Sequence, residues 1–319
     1  MSNPSNPTQL TYAVIGTGAV GGLYGAKLQQ AGAEVHFLLH RDYETVKNEG
    51  LRVDSVWGNL HLQAVNAYDR PEAMPPCDVT IVALKSTQNH CLRHLLPPIA
   101  KPQGVLLLLQ NGIGTESEIQ EILPKTEIIG GLCFVCSNKM GPGHIRHLDY
   151  GQITLGAYGP HYQAQGITPT IETLSNTFQQ AGIPTQPVED LMLARWQKLV
   201  WNIPFNGLSV ALNATTAELM AQPSTRELAR YLMEEVAQAA AAYDRDISPN
   251  FIATMLDNTA KMKPYHTSMK LDYDHDRPLE LQAIFQNPLD FAQAKGLDLP
   301  RTRFLQQQLQ FLVDRRKSE

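Results

Sequence analysis

Nowhere in its 319 residues does the chain offer about 18 consecutive apolar residues, so no membrane-spanning helix is expected. A broad basic field is missing too. The formal net charge is −5, and the only dense cationic run, Arg315-Arg316-Lys317, closes the chain. Nucleic acid is therefore not expected as a partner, and the run reads as a solvated helix end. Cysteine is sparse. Cys77 and Cys91 stand in no pattern, while Cys133 and Cys136 form a single C-x-x-C inside an apolar run, with no second pair and no His at ligand spacing. These thiols predict buried packing in a reducing compartment, with no metal site. The opening Met-Ser-Asn-Pro-Ser-Asn-Pro lacks the basic start and apolar core of a secretion signal, so it reads as a short disordered lead on a cytoplasmic protein. Internal repeats and low-complexity tracts are also absent. What remains is 43% hydrophobic and 18% charged, an ordinary globular balance over a length sufficient for two domains.

The most informative stretch is the apolar strand from Leu10 to Ile15, which runs straight into Gly16-Thr17-Gly18-Ala19-Val20-Gly21 and a helix-like segment ending at Gly32. A Gly-x-Gly-x-x-Gly turn between strand and helix is what a dinucleotide site requires. Gly16 permits the tight turn, Gly18 lets the backbone approach a pyrophosphate, and Gly21 lets the helix pack close while its unpaired amides face the anion. A second strand at Glu34–Leu39 completes a strand-helix-strand unit of about 30 residues, which lifts the motif above a chance glycine-rich turn. At its end stand His40 and Arg41 rather than the acidic residue that holds ribose hydroxyls in an NAD site. A guanidinium suits a 2′-phosphate, so NADP is the expected cofactor. Two alternatives stay open: Arg41 as a solvated loop residue, and Asp42 reaching a ribose.

Further apolar runs lie at Leu51–Asp54 and His61–Ala64 around Trp57-Gly58-Asn59, then at Val79–Leu84, Val105–Leu109, Ile128–Val135 and Ile153–Leu155. They predict an α/β fold that starts with a Rossmann-like, doubly wound sheet carrying some antiparallel additions. In such a sheet ligands bind outside the carboxyl ends of the strands. Gly16–Gly18, Arg41, Lys85 and Asn111-Gly112 all follow expected strands, so they share one polar rim that reads as a cofactor mouth. Past Gly182, Pro184 and Pro187 mark a linker, and helical periodicity prevails, clearest over Thr225–Tyr243 with Leu228, Leu232, Val236 and Ala239 on one face. Two domains are expected: 1–187, NADP-binding, and 188–319, mainly α-helical and carrying substrate and catalysis. A homodimer through an exposed helical face of the second domain is compatible with the sequence, which does not single out that face.

In the second domain Leu191 to Asn202 reads as an amphipathic helix. Lys198 and Asn202 stand four apart and Asn206 four further on, which places three polar groups along one face. Pro204 must disturb the backbone bond to residue 200. Trp196, Leu199, Trp201 and Phe205 cover much of the remaining surface, so a substantially buried helix is expected. Its lysine either snorkels to the surface or points into a cleft.

Taken together, these pieces resemble the ketopantoate reductase family along nearly the whole chain. The matching segments are Gly16–Gly21, Arg41, Leu84-Lys85, Gln110-Asn-Gly-Ile-Gly114, Trp196-Gln-Lys-Leu-Val-Trp-Asn202 with Asn206, Ser268-Met269 and Glu280. The Asn-Gly-x-Gly and Trp-x-Lys-Leu-x-x-Asn segments discriminate far better than the glycine turn. The resemblance implies NADPH-dependent reduction of a small 2-oxo acid, 2-dehydropantoate, to (R)-pantoate in pantothenate biosynthesis. It further implies that Arg41 and Lys85 contact the phosphate and adenosine end of NADP, and that Asn111 lies near nicotinamide and substrate. Lys198 matches the proton donor. Asn202, Asn206 and Ser268 match residues that hold the substrate's carboxylate and hydroxyl groups, and Glu280 matches an acid between cofactor and substrate. The set is chemically coherent, because hydride addition to a 2-oxo carbon drives negative charge onto the carbonyl oxygen, which an ammonium both stabilises and protonates.

Plain alternatives accompany two of these residues. Pro278 at a first helical turn would make Glu280 a first-turn carboxylate, and Ser268 would be a loop or N-cap hydroxyl where Pro264 ends one helix and Thr267-Ser268 starts the next. The chain also departs from the family pattern. Gln282 replaces the usual aspartate, Phe285-Gln286-Asn287-Pro288 stands where an Asn-Gly pair is usual, and Thr216 occupies the place of another polar contact, often asparagine. The segment after Glu280 is expected to repack the core rather than reshape a pocket wall. These departures keep two rivals in view: a paralogous reductase of another 2-oxo acid, and a non-catalytic NADPH-binding sensor, against which the retention of Lys198 and Glu280 argues.

Overall fold

The computed structural model describes residues 10–262 and 266–318, the side chains of 317 and 318 excepted; the N-terminal lead and Pro264 lie outside them. Among the described residues the strands are β1 (Thr11–Ile15), β2 (Glu34–Leu38), β3 (Leu51–Ser55), β4 (Leu60–Leu62), β5 (Asn66–Tyr68), β6 (Cys77–Val82), β7 (Ala100–Leu108), β8 (Glu127–Gly141), β9 (His144–Ala157) and β10 (Thr185–Pro187). The α-helices are α1 (Gly21–Gln30), α2 (Tyr43–Glu49), α3 (Leu92–Ile99), α4 (Thr115–Ile122), α5 (Pro169–Gln180), α6 (Leu191–Ala211), α7 (Thr216–Ala221), α8 (Pro223–Ala241), α9 (Pro249–Lys261), α10 (Ser268–Asp274), α11 (Asn287–Ala294) and α12 (Pro300–Ser318). None of these helices is long and apolar enough to cross a membrane. Two compact units divide the chain: residues up to Gln110 with Glu116–Leu191, and Asn111–Thr115 with Met192 onward.

The first unit is built on one sheet. Strands β5-β2-β1-β6-β7-β8 lie side by side and all run parallel. Counting only these six, the order is third, second, first, fourth, fifth, sixth, the order of a dinucleotide-binding sheet, and its direction of growth reverses between β1 and β6. Burial on both faces explains the unbroken apolar run of β1. Tyr12 and Val14 join Leu23 and Tyr24 of α1 and Phe178 of α5, while Ala13 and Ile15 join Leu92 and Leu96 of α3 and Ile119 of α4. The antiparallel additions are one long hairpin, β8 with β9, and β4 on β3. The two apolar runs are only parts of that hairpin: β8 is buried over Ile128–Leu132 and half-buried or exposed beyond, with Phe134 49% exposed, while on β9 Ile153 and Leu155 belong to a buried end and most of the middle is exposed. Most of the expected linker at Pro184–Pro187 is instead a strand, since β10 pairs in parallel with β9, and Pro187 is tolerated in it because it lies off the main path of the sheet.

At the amino end of β1, the Asp78 carboxylate accepts from Thr11 N at 3.0 Å, Thr11 Oγ1 at 2.7 Å and Lys101 Nζ at 2.6 Å. Burial pushes its pKa upward, but the Lys101 and Thr11 hydrogen bonds outweigh burial and hold it down at about 2. A carboxylate depressed in the folded state stabilises the fold above its unfolded pKa, near 4, and that contribution disappears as pH falls toward the folded value. In urea titrations over this range, the stability advantage of the wild type over Asp78→Asn should shrink steadily from about pH 4 down to about pH 2. A difference that stays constant across the range would show that the ionised carboxylate is not what stabilises this corner.

The second unit forms around α6. Trp196, Leu199, Val200, Ile203, Phe205 and Leu208 are all buried, so a helix apolar on most sides lies inside rather than on a surface. It runs on for 21 residues through Pro204, which costs Val200 its usual helical donor without ending the helix. A Cβ on Gly207 would come within 2.5 Å of Leu305 Cδ2 and 3.1 Å of Phe285 Cζ. Phe285 is thus a core residue, packed where α6 has no side chain. Glu235 of α8 accepts from Arg301 N at 3.0 Å, Thr302 N at 2.9 Å and Thr302 Oγ1 at 2.9 Å, capping the start of α12. At the other end of α12, Arg316 is not the solvated residue expected: its guanidinium lies 3.3 Å from the Tyr273 ring centroid and pairs with Asp276 at 3.0 Å.

The helical turn expected over Asp276–Glu280 does not form either. Asp276 takes φ +52°, Arg277 N closes α10 onto Asp272 O at 2.8 Å, and residues 277–280 are non-helical. Pro278 disfavours the helical region for the residue before it. Helix resumes at Leu281 and passes through a π-helical turn, Gln282–Gln286, into α11.

Candidate active site

In the first unit, three neighbouring strand ends carry the expected cofactor residues. The turn after β1 is pressed against the chain leaving β6: Gly16 has φ +96°, and a Cβ there would lie 2.5 Å from Leu84 N. Only glycine meets both demands. Thr17 Oγ1 donates to Leu38 O at 3.1 Å, tying the turn to the end of β2, and Ser137 Oγ donates to Ala19 O at 2.9 Å from β8. Around Gly18, by contrast, no atom lies within 4 Å of a built Cβ, and α1 begins after Ala19 and Val20 with no side-chain cap. Open space beside Gly18 and an uncapped helix N-terminus at Gly21 are what a pyrophosphate needs.

The end of β2 separates the two ribose readings. Arg41 is exposed, whereas Asp42 is 6% exposed and its Oδ2 takes Lys139 Nζ at 2.5 Å and Gly143 N at 3.1 Å. The carboxylate beside Arg41 is committed to the protein, while Arg41 itself is exposed. Lys85 is also exposed, at the start of the 3-10 turn Ser86–Cys91 that follows β6. Nearby, Gln110 Nε2 bonds Leu84 O and Asn89 Oδ1, each at 2.8 Å. Among the described residues there is no cluster of three or more metal-ligating side chains, and Cys133 and Cys136 are half-buried on β8 and not joined in a disulfide.

The second unit gathers the remaining residues. Lys198 is half-buried on α6, and Asn202 and Asn206 follow at 6% and 2% exposure. Asn202 Nδ2 and Asn206 Oδ1 are buried with no hydrogen-bond partner, an arrangement that normally costs about 1–3 kcal/mol per group. A donor and an acceptor held one helical turn apart beside a lysine fit a small polar ligand. Ser268 is placed by a relay that sequence reasoning missed. Ser209 Oγ donates to Asn206 O at 3.1 Å and meets Thr267 Oγ1 at 2.8 Å, and Thr267 in turn caps α10 by accepting from Lys270 N at 3.2 Å. Thr267 therefore does the N-capping, and the half-buried Ser268 that follows is relieved of that role. Ser209, three residues beyond Asn206, was the available signal. Glu280 is 4% exposed and precedes the helix at Leu281. Thr216 is fully buried as the first residue of α7, behind the capping-box residue Thr215. Asn111 belongs with this unit too, since Ile113 N donates to Ala283 O at 3.2 Å.

A dinucleotide-binding sheet followed by a helical unit with a lysine-asparagine stripe is the organisation of a nicotinamide-dependent 2-oxo acid reductase. Comparison with known proteins agrees. The chain belongs to the ketopantoate reductase family: the profile described as ketopantoate reductase PanE/ApbA matches residues 12–160, and that of its C-terminal part matches residues 190–313. It is 58% identical to a 2-dehydropantoate 2-reductase of Nostoc sp. (strain PCC 7120) over 96% of both chains. Among solved structures, the 2-dehydropantoate 2-reductase of Geobacter metallireducens GS-15 aligns with a TM-score of 0.89 at 39% identity, covering 96% of this chain and 99% of the other. That of Methylococcus capsulatus aligns with a TM-score of 0.88 at 31% identity, covering 97% and 98%.

Proposed function

We propose that this chain reduces 2-dehydropantoate to (R)-pantoate with NADPH, the reduction step of pantothenate biosynthesis, in the cytoplasm, where its four cysteines stay reduced. The observation that carries this reading is the orphaned amide pair of Asn202 and Asn206. An orphaned donor finds acceptors on any 2-oxo carboxylate. With the amide oriented as here, Asn206 Oδ1 is matched by a donor, which neither an ionised carboxylate nor a ketone carries. Ketopantoate supplies it through its primary hydroxyl.

The residues divide the work. NADPH, when bound, supplies the hydride; Gly16–Gly21 receive its pyrophosphate, Arg41 and Lys85 its phosphate and adenosine end, and Asn111 its nicotinamide end. Lys198 donates a hydrogen bond and then a proton to the ketone oxygen as charge develops there. Asn202 and Ser268 hold the carboxylate, and Asn206 takes the hydroxyl. Glu280 orients the ammonium of Lys198.

Initial rates with ketopantoate and with 2-oxoisovalerate, which lacks the hydroxyl, test the reading. A site built to bond a hydroxyl discriminates against its loss by up to about 10⁴-fold, against about 10- to 200-fold for one methylene in an apolar pocket. With the altered segment after Glu280, the expected advantage in kcat/KM for ketopantoate is above about 10-fold. Equal efficiencies, or a preference for 2-oxoisovalerate, would assign the chain to another 2-oxo acid.

A further inference from the structure

The segment that departs from the family pattern, Gln282 to Pro288, does more than fill the core. In the π-helical turn, Asn287 N bonds Gln282 O, five residues back. The next carbonyl in that series, Ala283 O, would receive the amide of residue 288, and Pro288 has none. Ala283 O is thereby released from the helix. It accepts instead from Ile113 N at 3.2 Å, in the middle of the Asn111–Gly114 turn. The turn comes close enough only because residue 112 is glycine: its φ is +93°, and a Cβ would lie 2.5 Å from Ala283 C.

A second bond closes the junction. Asn287 Nδ2 donates to Ile113 O at 2.6 Å. Its amide cannot turn over freely, because Gln282 Nε2 donates to Asn287 Oδ1 at 2.8 Å and so fixes which end faces Ile113. Both faces of the Ile113 residue are thus tied to the helix that starts directly after Glu280. π-turns inside helices occur frequently at functional sites, and this one has a visible task.

We propose that Asn287, oriented by Gln282 and aided by the carbonyl that Pro288 leaves free, is a positioning residue: it locks the Asn111 turn onto the element that carries Glu280. The inference rests on the reading of Asn111 and Glu280 given above. Asn287 touches neither cofactor nor substrate in this scheme and acts through the turn alone.

The experiment compares Asn287→Ala, Asn287→Asp, Asn111→Ala and the double variant Asn111→Ala/Asn287→Ala in steady-state NADPH oxidation with ketopantoate, alongside hydrogen exchange at the Ile113 amide. Asn287→Ala should speed Ile113 exchange and lower kcat/KM by about 10- to 100-fold, the size of effect that a displacement of about 1 Å produces. Asn287→Asp keeps the size and the bond from Gln282 but turns an oxygen toward Ile113 O, so it should lose at least as much. Because both residues act through one turn, the double variant should fall no more than about threefold below Asn111→Ala alone, whereas independent losses would multiply. Unchanged Ile113 exchange in both Asn287 variants, wild-type kcat/KM in them, or multiplying losses overturns the proposal. Failure of the functional reading looks different: the wild type itself does not turn over ketopantoate, or Asn111→Ala is as active as wild type, and the positioning role falls with it.

Discussion

Lys198→Ala is expected to lower kcat by about 10²- to 10⁴-fold, the usual size of a lost general acid, with NADPH affinity nearly unchanged. The separation follows from location, because Lys198 sits on α6 in the second unit while the glycine turn, Arg41 and Lys85 sit on strand ends of the first. The loss should appear at saturating ketopantoate, since the ammonium acts where charge develops on the ketone oxygen. Stopped-flow turnover and fluorescence titration of NADPH measure the two quantities on the same preparation. Turnover near that of the wild type would remove Lys198 from the mechanism. Equal damage to NADPH affinity would make it a structural residue of α6.

Arg41→Ala should weaken NADPH by about 10- to 150-fold and leave NADH nearly untouched, because a hydrogen bond to a charged group contributes roughly 1.5–3 kcal/mol and NADH has no 2′-phosphate to lose it from. The buried commitment of Asp42 to Lys139 and Gly143 sharpens the expectation, because that carboxylate is not available to hold the ribose hydroxyls of NADH. The ratio of the two dissociation constants is the measurement. If both cofactors weaken alike, Arg41 supports the loop and Lys85 alone carries the preference for NADPH.

How far the sequence could be read depended on the distance between interacting residues. The turn from β1 into α1 was legible because strand, glycines and helix are contiguous, and the Lys198–Asn202–Asn206 stripe because a helix converts spacing directly into a shared face. The commitment of Asp42 was not, since its partners lie about a hundred residues away, on β8 and in the turn before β9, joined by no local pattern. The same holds for the bond from Asn287 to Ile113, 174 residues apart. Pro288 read as a break in a motif; only the fold shows that the missing amide releases a carbonyl for another segment. Pro187 misled in the opposite direction, because a short strand at the side of a sheet tolerates a proline that would disrupt a central one. Glu280 was identified by resemblance, and its place outside the helix was hidden because Pro278 fits a first turn as well as it fits a loop.

The most direct measurement is a mass balance: the purified chain, limiting NADPH and excess ketopantoate, with NADPH followed by absorbance and pantoate quantified by mass spectrometry. The expected result is one pantoate formed for each NADPH consumed, with NADH consumed far more slowly. Tight NADPH binding without pantoate formation, or NADPH consumed with no pantoate to match it, would contradict the assignment.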